Sequence, residues 1–221
     1  MTDILREIAQ HVDRAADGDL LQFDPKQSGM ALLKLVGKVP STRHPLGFCH
    51  FELTDELELA DARVRVHIWT ADSLRDRDNL GVHHAHTWSL ASCVLIGSLR
   101  DTWYEAHAAD EGSFHGIEVD YANRVVRPTS QRYELDVVRT LDVLPGRVYR
   151  LPPDAPHNTD VLTVPSATLV VARESGLSST PVFSPVELSE TRPGERLPLS
   201  DEDAAAAIVV AFDLPGRPRA A

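Results

Sequence analysis

Apolar and polar residues alternate with a period of two through most of the middle of the chain. In residues 63–69, Val64, Val66 and Ile68 alternate with Arg65 and His67, which indicates a strand with one buried face. Short strands separated by turn residues favour a sandwich or barrel over a parallel α/β sheet. Similar strand signals cover residues 46–53, 86–96, 98–105, 114–120, 132–143, 147–151 and 167–173.

Both ends of the chain have helical patterns instead. Residues 3–16 carry apolar side chains at helical spacing, and residues 25–38 do so after a proline in the first turn. We expect these two helices to pack on the outside of a barrel. A final helix is predicted near 201–212, where acidic residues open the pattern. The predicted organisation is an N-terminal helical segment (1–40), a barrel (41–175), and an extended, loosely packed C-terminal segment with a short helix (176–221).

The amino-acid composition disfavours some classes of binding partner. The chain has 33 acidic and 22 basic residues and a formal net charge of -11, which disfavours binding to nucleic acid or to anionic membranes. It contains two cysteines, Cys49 and Cys93, and no apolar window of the roughly 18 residues that a membrane span needs. With no signal-peptide pattern at the first residues, we expect a cytoplasmic protein. Frequent Arg and Pro with few Lys are typical of a bacterial source.

Three histidines lie within four residues at the start of an apolar run: His83, His84 and His86. If this run is a strand, His84 and His86 point to one face and His83 to the other. Two imidazoles on one face can share a metal ion such as Fe, Zn, Cu or Ni. The alternative is a histidine-rich surface strand without a metal.

A second stretch favours the metal. Residues 146–158 indicate a short strand, a proline-stiffened turn and then a single histidine. Together the two stretches resemble the paired motifs of the cupin superfamily, over roughly residues 60–173. Two positions depart from the family pattern: Asp154 replaces the usual turn glycine, which Asp tolerates, and Leu90 replaces the usual Glu ligand. The matching residues are His84, His86 and Gly97 in the first motif and Gly146, Pro152 and His157 in the second.

This resemblance implies a mainly all-β fold, the cupin-type double-stranded β-helix or jelly-roll barrel, here with N-terminal helices and a C-terminal helix. It also implies a metal held by His84, His86 and His157, and it suggests a homodimer. Because Leu90 cannot bind a metal, we expect three neutral imidazoles with open coordination positions. Open positions are the mark of a catalytic site.

The first motif is most similar to that of the thiol dioxygenases of the cysteine dioxygenase type, which use three histidines and no Glu. The similar residues run from His84-Ala85-His86-Thr87 through Ser89 to Gly97-Ser98-Leu99-Arg100-Asp101-Thr102. By this resemblance the metal is Fe(II), and the reaction adds O₂ to the sulfur of a small-molecule substrate. Ligand type alone leaves Zn, Ni and Mn open.

Two further features of that family have candidates here. An Arg on the strand before the histidine pair would bind the substrate carboxylate, and Arg63 and Arg65 lie on such a strand. A Tyr near the metal would be catalytic, for which the candidates are Tyr133 and Tyr149. Trp88 and His67 are predicted to line the substrate pocket.

Two other functions stay open at this point. A cupin isomerase, decarboxylase or lyase would use the same metal as a Lewis acid. A non-catalytic cupin would bind a ligand and do no chemistry. Fold alone does not decide among the three.

Overall fold

A computed structural model describes residues 3–75, 77–78, 80–120, 125–177, 179–194 and 196–215 of the chain. Five helices are present in these ranges: α1 (Asp3–Arg14), α2 (Pro25–Leu33), α3 (Thr54–Leu57), α4 (Ala71–Arg75) and α5 (Asp201–Ala211). The strands are β1 (Ser41–His44), β2 (Phe48–Glu52), β3 (Arg63–Trp69), β4 (His83–His84), β5 (Trp88–Ile96), β6 (Leu99–Ala108), β7 (Phe114–Asp120), β8 (Val125–Val143), β9 (Val148–Leu151), β10 (His157–Val161), β11 (Ser166–Glu174), β12 (Pro181–Ser184), β13 (Arg192–Pro193) and β14 (Leu197–Pro198).

The strands of the described chain form two antiparallel sheets of seven strands each. Sheet I has the order β14-β1-β2-β3-β11-β5-β9, and sheet II has the order β13-β8-β6-β10-β4-β12-β7. Neighbours along both sheets are far apart in sequence, as when β11 lies between β3 and β5. The predicted mainly β fold of jelly-roll type is therefore confirmed.

The outer face of sheet I carries the main hydrophobic core. Val64, Val66 and Ile68 on β3 are fully buried there against side chains of α1, α2 and α5. Each such side chain contributes about 1.5–3 kcal/mol on burial. The helices are capped where they begin: Asp24 accepts from the first backbone N–H groups of α2, and Ser200 does so for α5. Side chains of α1, α2 and α5 thus cover the outer face of sheet I.

The inner face of sheet I faces sheet II. Near one end of the sheets, Val94 and Tyr149 pack in a smaller apolar cluster with Leu99 and Val143 of sheet II. Further along, residues of both sheets surround a cavity of about 730 Å³. Along a strand of sheet I, residues therefore alternate between facing the helix-packed core and facing the cavity.

The C-terminal segment differs from the sequence-based expectation. Residues 176–200 were expected to be extended and loosely packed, yet they supply β12, β13 and β14. Strand β12 pairs with both β4 and β7, and its Val182 and Phe183 are buried. Two apolar residues are too few to give a periodic pattern in the sequence. Strand β12 is therefore determined by its pairing with neighbouring strands and not by its local sequence. Between β3 and β4, the chain forms the short helix α4.

No helix in the described part of the chain is both long and apolar enough to cross a bilayer.

Candidate metal centre

The structure brings the three predicted metal ligands together at the cavity wall. One ring nitrogen from each of His84, His86 and His157 lies within 4.8 Å of the other two. The ring centroids are 4.7 Å apart for His84 and His86, 4.5 Å for His84 and His157, and 5.0 Å for His86 and His157. This spacing is close to what three imidazoles need to bind one ion.

Strand pairing accounts for the meeting of two distant motifs. His84 on β4 lies directly opposite His157 on β10 in sheet II. The turn before His157 is tied to the first motif by the N–H of Asp154, which donates to the carbonyl of His86 at 2.9 Å. Asp154 has a φ of +60°, in the left-handed region that Asp adopts more readily than most residues. Asp154 thus serves in the place of the usual turn glycine.

One detail of the expected geometry was wrong. Strand β4 ends at His84, and His86 lies in the irregular connection to β5 rather than on one continuous strand. Both side chains nevertheless face the cavity. His83 points elsewhere and contacts the rings of Tyr104 and Phe114.

The three imidazoles are neutral and therefore competent ligands. Burial lowers the pKa of His84 to about 3 and that of His157 to about 4, and it holds the pKa of His86 well below the ordinary value of 6.5. Repulsion from neighbouring histidines lowers the pKa values of His84 and His86 further. A neutral imidazole has a lone pair for a metal at any pH near neutrality.

Backbone carbonyls orient two of the rings. Nδ1 of His84 lies 3.3 Å from the carbonyl oxygen of Val82, and Nδ1 of His157 lies 3.3 Å from that of Ala155. A carbonyl requires Nδ1 to donate, which leaves the Nε2 lone pair for a metal. The buried Nδ1 of His86 has no hydrogen-bond partner among the described residues. A metal ion bound at this site would provide a partner for such a buried nitrogen.

Arg65 and Trp88, two predicted substrate-binding residues, lie beside the histidines. The Trp88 ring stacks on that of His86 with centroids 4.9 Å apart, and the Arg65 guanidinium lies 5.0 Å from the Trp88 ring centroid. Arg65 is 8% exposed, and its Nε donates to Glu52 at 3.3 Å. The buried cation is thereby held in place on the cavity wall.

The cavity is also lined by His67, Tyr149 and Leu90. His67 is close enough to His86 to lower its pKa. Burial raises the pKa of Tyr149, and the nearby Asp101 carboxylate raises it further. The Tyr149 phenol therefore stays protonated and can donate a hydrogen bond into the cavity.

Arg63 and Tyr133 are not brought to this site. Arg63, the first residue of β3, is exposed and forms an ion pair with Glu174 at 3.0 Å. The Tyr133 ring packs edge-to-face on Phe183 with centroids 5.0 Å apart, away from the residues that line the cavity. The roles predicted for these two residues stay predictions that their positions do not support.

Several further basic or imidazole side chains line the cavity. They are His44 and His50 on β1 and β2, Arg77 between α4 and β4, and Arg192 and Arg196 in the C-terminal segment. The period-two pattern of β2 placed His50 and Phe48 on one face, but it does not say which face borders a cavity. The tail residues follow no periodic pattern at all.

Comparison with known proteins gives distant structural similarity only. No protein-family model matches the chain, and no curated protein matches it. Among solved structures, the oxalate decarboxylase–formate complex of Lactobacillus farciminis is 15% identical, with a TM-score of 0.37, over 65% of this chain and 32% of that chain. An oxalate decarboxylase of Bacillus subtilis is 18% identical, with a TM-score of 0.37, over 66% and 30%. The structure of ycfD of E. coli is 12% identical, with a TM-score of 0.37, over 59% of this chain and 34% of that chain.

This chain spans about a third of the length of each of these proteins. Similarity at this level assigns no activity. The functional assignment therefore rests on the site itself.

Proposed function

We propose that this protein is an Fe(II)-dependent oxygenase that adds O₂ to the sulfur of a small thiol carrying a carboxylate. The observation that carries the proposal is the group of three neutral histidines on the cavity wall, which includes no carboxylate among the described residues. The local resemblance of the first motif to thiol dioxygenases supplies the choice of metal and reaction.

His84, His86 and His157 would hold the metal. Three neutral ligands leave its double charge uncompensated, which favours an anionic co-ligand such as a thiolate. Iron bound there would supply the redox chemistry that joins O₂ to sulfur. The overall change is RSH + O₂ → RSO₂H, in which the thiol is oxidised to a sulfinic acid, both oxygen atoms end on sulfur, and no external reductant is consumed.

Arg65 would bind the substrate carboxylate. Its ion pair with Glu52 is made through Nε, so the terminal nitrogens are those that can face a ligand. Packing on Trp88, which itself stacks on His86, fixes the distance between the carboxylate site and the metal ligands. A carboxylate bound at a fixed distance from the metal ligands would orient the substrate for reaction.

Tyr149 would donate a hydrogen bond to the reacting groups. Its side chain is 7% exposed and lies on β9 directly opposite Ser92 of β5. Because its pKa is raised, the phenol acts as a donor throughout the neutral range and not as a charged base.

A second function is favoured by the same ligand set. Three histidines and an open position also suit a zinc or nickel ion acting as a Lewis acid, in an isomerase, decarboxylase or lyase. Such an enzyme would convert its substrate without consuming O₂.

The test is O₂ uptake by the iron-loaded protein with a panel of carboxylated thiols. We expect stoichiometric O₂ consumption and a sulfinate product identified by mass spectrometry. Arg65→Lys should raise KM at least about tenfold, because a bidentate contact is lost, while the matched Arg63→Lys should leave KM unchanged. Conversion without O₂ uptake would favour the Lewis-acid enzyme, and metal binding with no turnover of any probe would favour a ligand-binding protein.

A further inference from the structure

A row of polar side chains crosses the inner face of sheet I, beside the metal centre. Thr42 on β1 lies directly opposite His50 on β2, and His50 lies directly opposite His67 on β3. All three residues line the cavity. Opposed side chains on neighbouring antiparallel strands are about 4.5–5.5 Å apart at Cβ, so the three form one continuous wall. We call these three residues the polar wall.

Two buried atoms of the polar wall have no hydrogen-bond partner among the described residues. They are Oγ1 of Thr42 and Nε2 of His50. The carboxylate of Glu52 lies 4.0 Å from Nε2 of His50, beyond hydrogen-bonding reach. Only 8% of the His50 side chain is exposed. Leaving such a group unpaired costs about 1–3 kcal/mol, so a native structure that retains it calls for an explanation.

The polar wall lies in a positive field. Arg196 and Arg65 both act on His50 and His67, while the negative charge of Glu52 is engaged by Arg65. Arg196 also acts on the neighbouring His44. Burial together with these cations keeps the imidazoles neutral, so they can donate a hydrogen bond without adding charge. Neutral donors beside the buried guanidinium of Arg65 and the partly exposed one of Arg196 suit an anion better than a cation or an amide.

The wall includes no metal ligand. His67, predicted to line the substrate pocket, is one end of the wall, and His50 and Thr42 continue it across β2 and β1. A cavity of about 730 Å³ exceeds what a minimal thiol with one carboxylate would fill. Space and donors therefore remain after the substrate of the proposed function has been placed.

We propose that the polar wall of Thr42, His50 and His67 is a second anion subsite, and that the substrate carries a second carboxylate which binds there. The substrate class is then a dicarboxylic thiol. This inference rests on the proposed function for the thiol, but the subsite itself needs only the wall.

The test measures carboxylate binding by calorimetry on the full-length protein freed of metal with a chelator. Glutarate is the dicarboxylate probe and butyrate is its monocarboxylate match. We expect glutarate to bind at least about tenfold more tightly than butyrate, as one additional charge-assisted hydrogen bond predicts. Pentanamide, of similar length but uncharged, should bind no better than butyrate.

Substitutions in the polar wall test whether its side chains cause the preference for glutarate over butyrate. His50→Phe keeps the ring and removes the donor, and Thr42→Val keeps the shape and removes the hydroxyl, so each should reduce the preference for glutarate to about threefold or less. His50→Gln places an amide nitrogen near the position of the original Nε2, so this variant should keep most of the preference for glutarate. His115→Phe, on β7 and outside the cavity lining, is the control and should bind glutarate like the wild type.

His84→Ala separates the subsite from the metal centre. It should lose metal and retain the preference for glutarate. Equal binding of glutarate and butyrate by the wild type, or an unchanged preference in both His50→Phe and Thr42→Val, would overturn the subsite, because ordered water would then explain the unpartnered atoms. A glutarate preference without any thiol oxidation would reject the proposed oxygenase and leave the subsite standing.

Discussion

The two faces of sheet I have opposite properties although they belong to the same strands. On β2, Phe51 faces the helices and is 1% exposed, while its neighbour His50 faces the cavity with an unpartnered nitrogen. On β3, Val66 and Ile68 are packed in the core on either side of His67. A displacement of one residue along the strand therefore changes an apolar environment into a polar one.

This contrast indicates how stability and binding are divided in the fold. The outer face buries apolar surface against three helices and supplies the favourable free energy of folding. The inner face keeps polar groups that lower stability until a ligand or an ion satisfies them. Substitutions on the two faces should consequently change different observables.

The largest effect is expected on the outer face. Phe51→Ala should reduce the free energy of unfolding by about 3–5 kcal/mol, because it leaves a cavity in a fully packed core. Metal affinity of the folded protein should stay within a factor of about two, since the ligands lie on the opposite side of the sheet. Urea unfolding and metal titration give the two numbers. A large loss of metal affinity in a folded variant would show that the faces are not independent.

The next effect concerns pH. Burial lowers the pKa of His50 to about 3, from an ordinary value of 6.5. The unfolded chain therefore takes up a proton near pH 6.5 that the folded chain refuses, so the contribution of His50 is fully present above pH 6.5 and is lost on acidification towards pH 3. The slope is about 1.4 kcal/mol per pH unit for each such histidine.

His50→Phe should make the unfolding free energy of the metal-free protein less dependent on pH by that amount between pH 6 and 4. Asp101, whose pKa burial raises to about 7, acts in the opposite sense, because its stabilisation is lost as the pH rises. It is common to wild type and variant and cancels in the comparison. Phe51→Ala is the control, since it should lower the whole curve without changing its slope.

A matched exchange on β11 compares the faces directly. Thr168 is 1% exposed on the inner face, and its hydroxyl has no hydrogen-bond partner in the described parts of the chain; Val171 is 2% exposed on the outer face. Thr168→Val should raise the free energy of unfolding by about 1 kcal/mol, and Val171→Thr should lower it by about 1–2 kcal/mol. Denaturant midpoints measure both. Destabilisation by Thr168→Val would mean that its hydroxyl has a partner in solution.

The smallest effect is expected at Arg63. Its ion pair with Glu174 joins two half-exposed side chains, and such pairs contribute below about 1 kcal/mol. Arg63→Ala should change the free energy of unfolding by less than about 0.5 kcal/mol in moderate salt. A larger change in denaturant unfolding would assign Arg63 a structural role at the end of β3.

The candidate metal ligands were predicted in two ways. Alternation along a strand placed His84 and His86 on one face, and the resemblance to the cupin motifs added His157; the structure brings the three rings together. The alternation of β3 likewise placed Arg65 and His67 on one face. Alternation cannot show how far along a strand the cavity extends, which is why Arg63 was grouped with Arg65.

The polar wall was not predictable in the same way. It depends on the register between β1, β2 and β3, which places Thr42, His50 and His67 side by side. Register follows from turn geometry and from contacts of all three strands, and no local pattern records it. Tyr149 and Tyr133 show the same limit, because both lie on strands and only the sheet order decides which one borders the cavity.

The central claim is that His84, His86 and His157 bind one metal ion. The most direct test is elemental analysis of the purified protein after loading with iron, for the wild type and for His157→Ala, with His83→Ala as the control for a nearby histidine that faces away. We predict close to one ion per chain in the wild type and in His83→Ala, and less than a tenth of that in His157→Ala. No bound metal in the wild type, or full occupancy in His157→Ala, would contradict it.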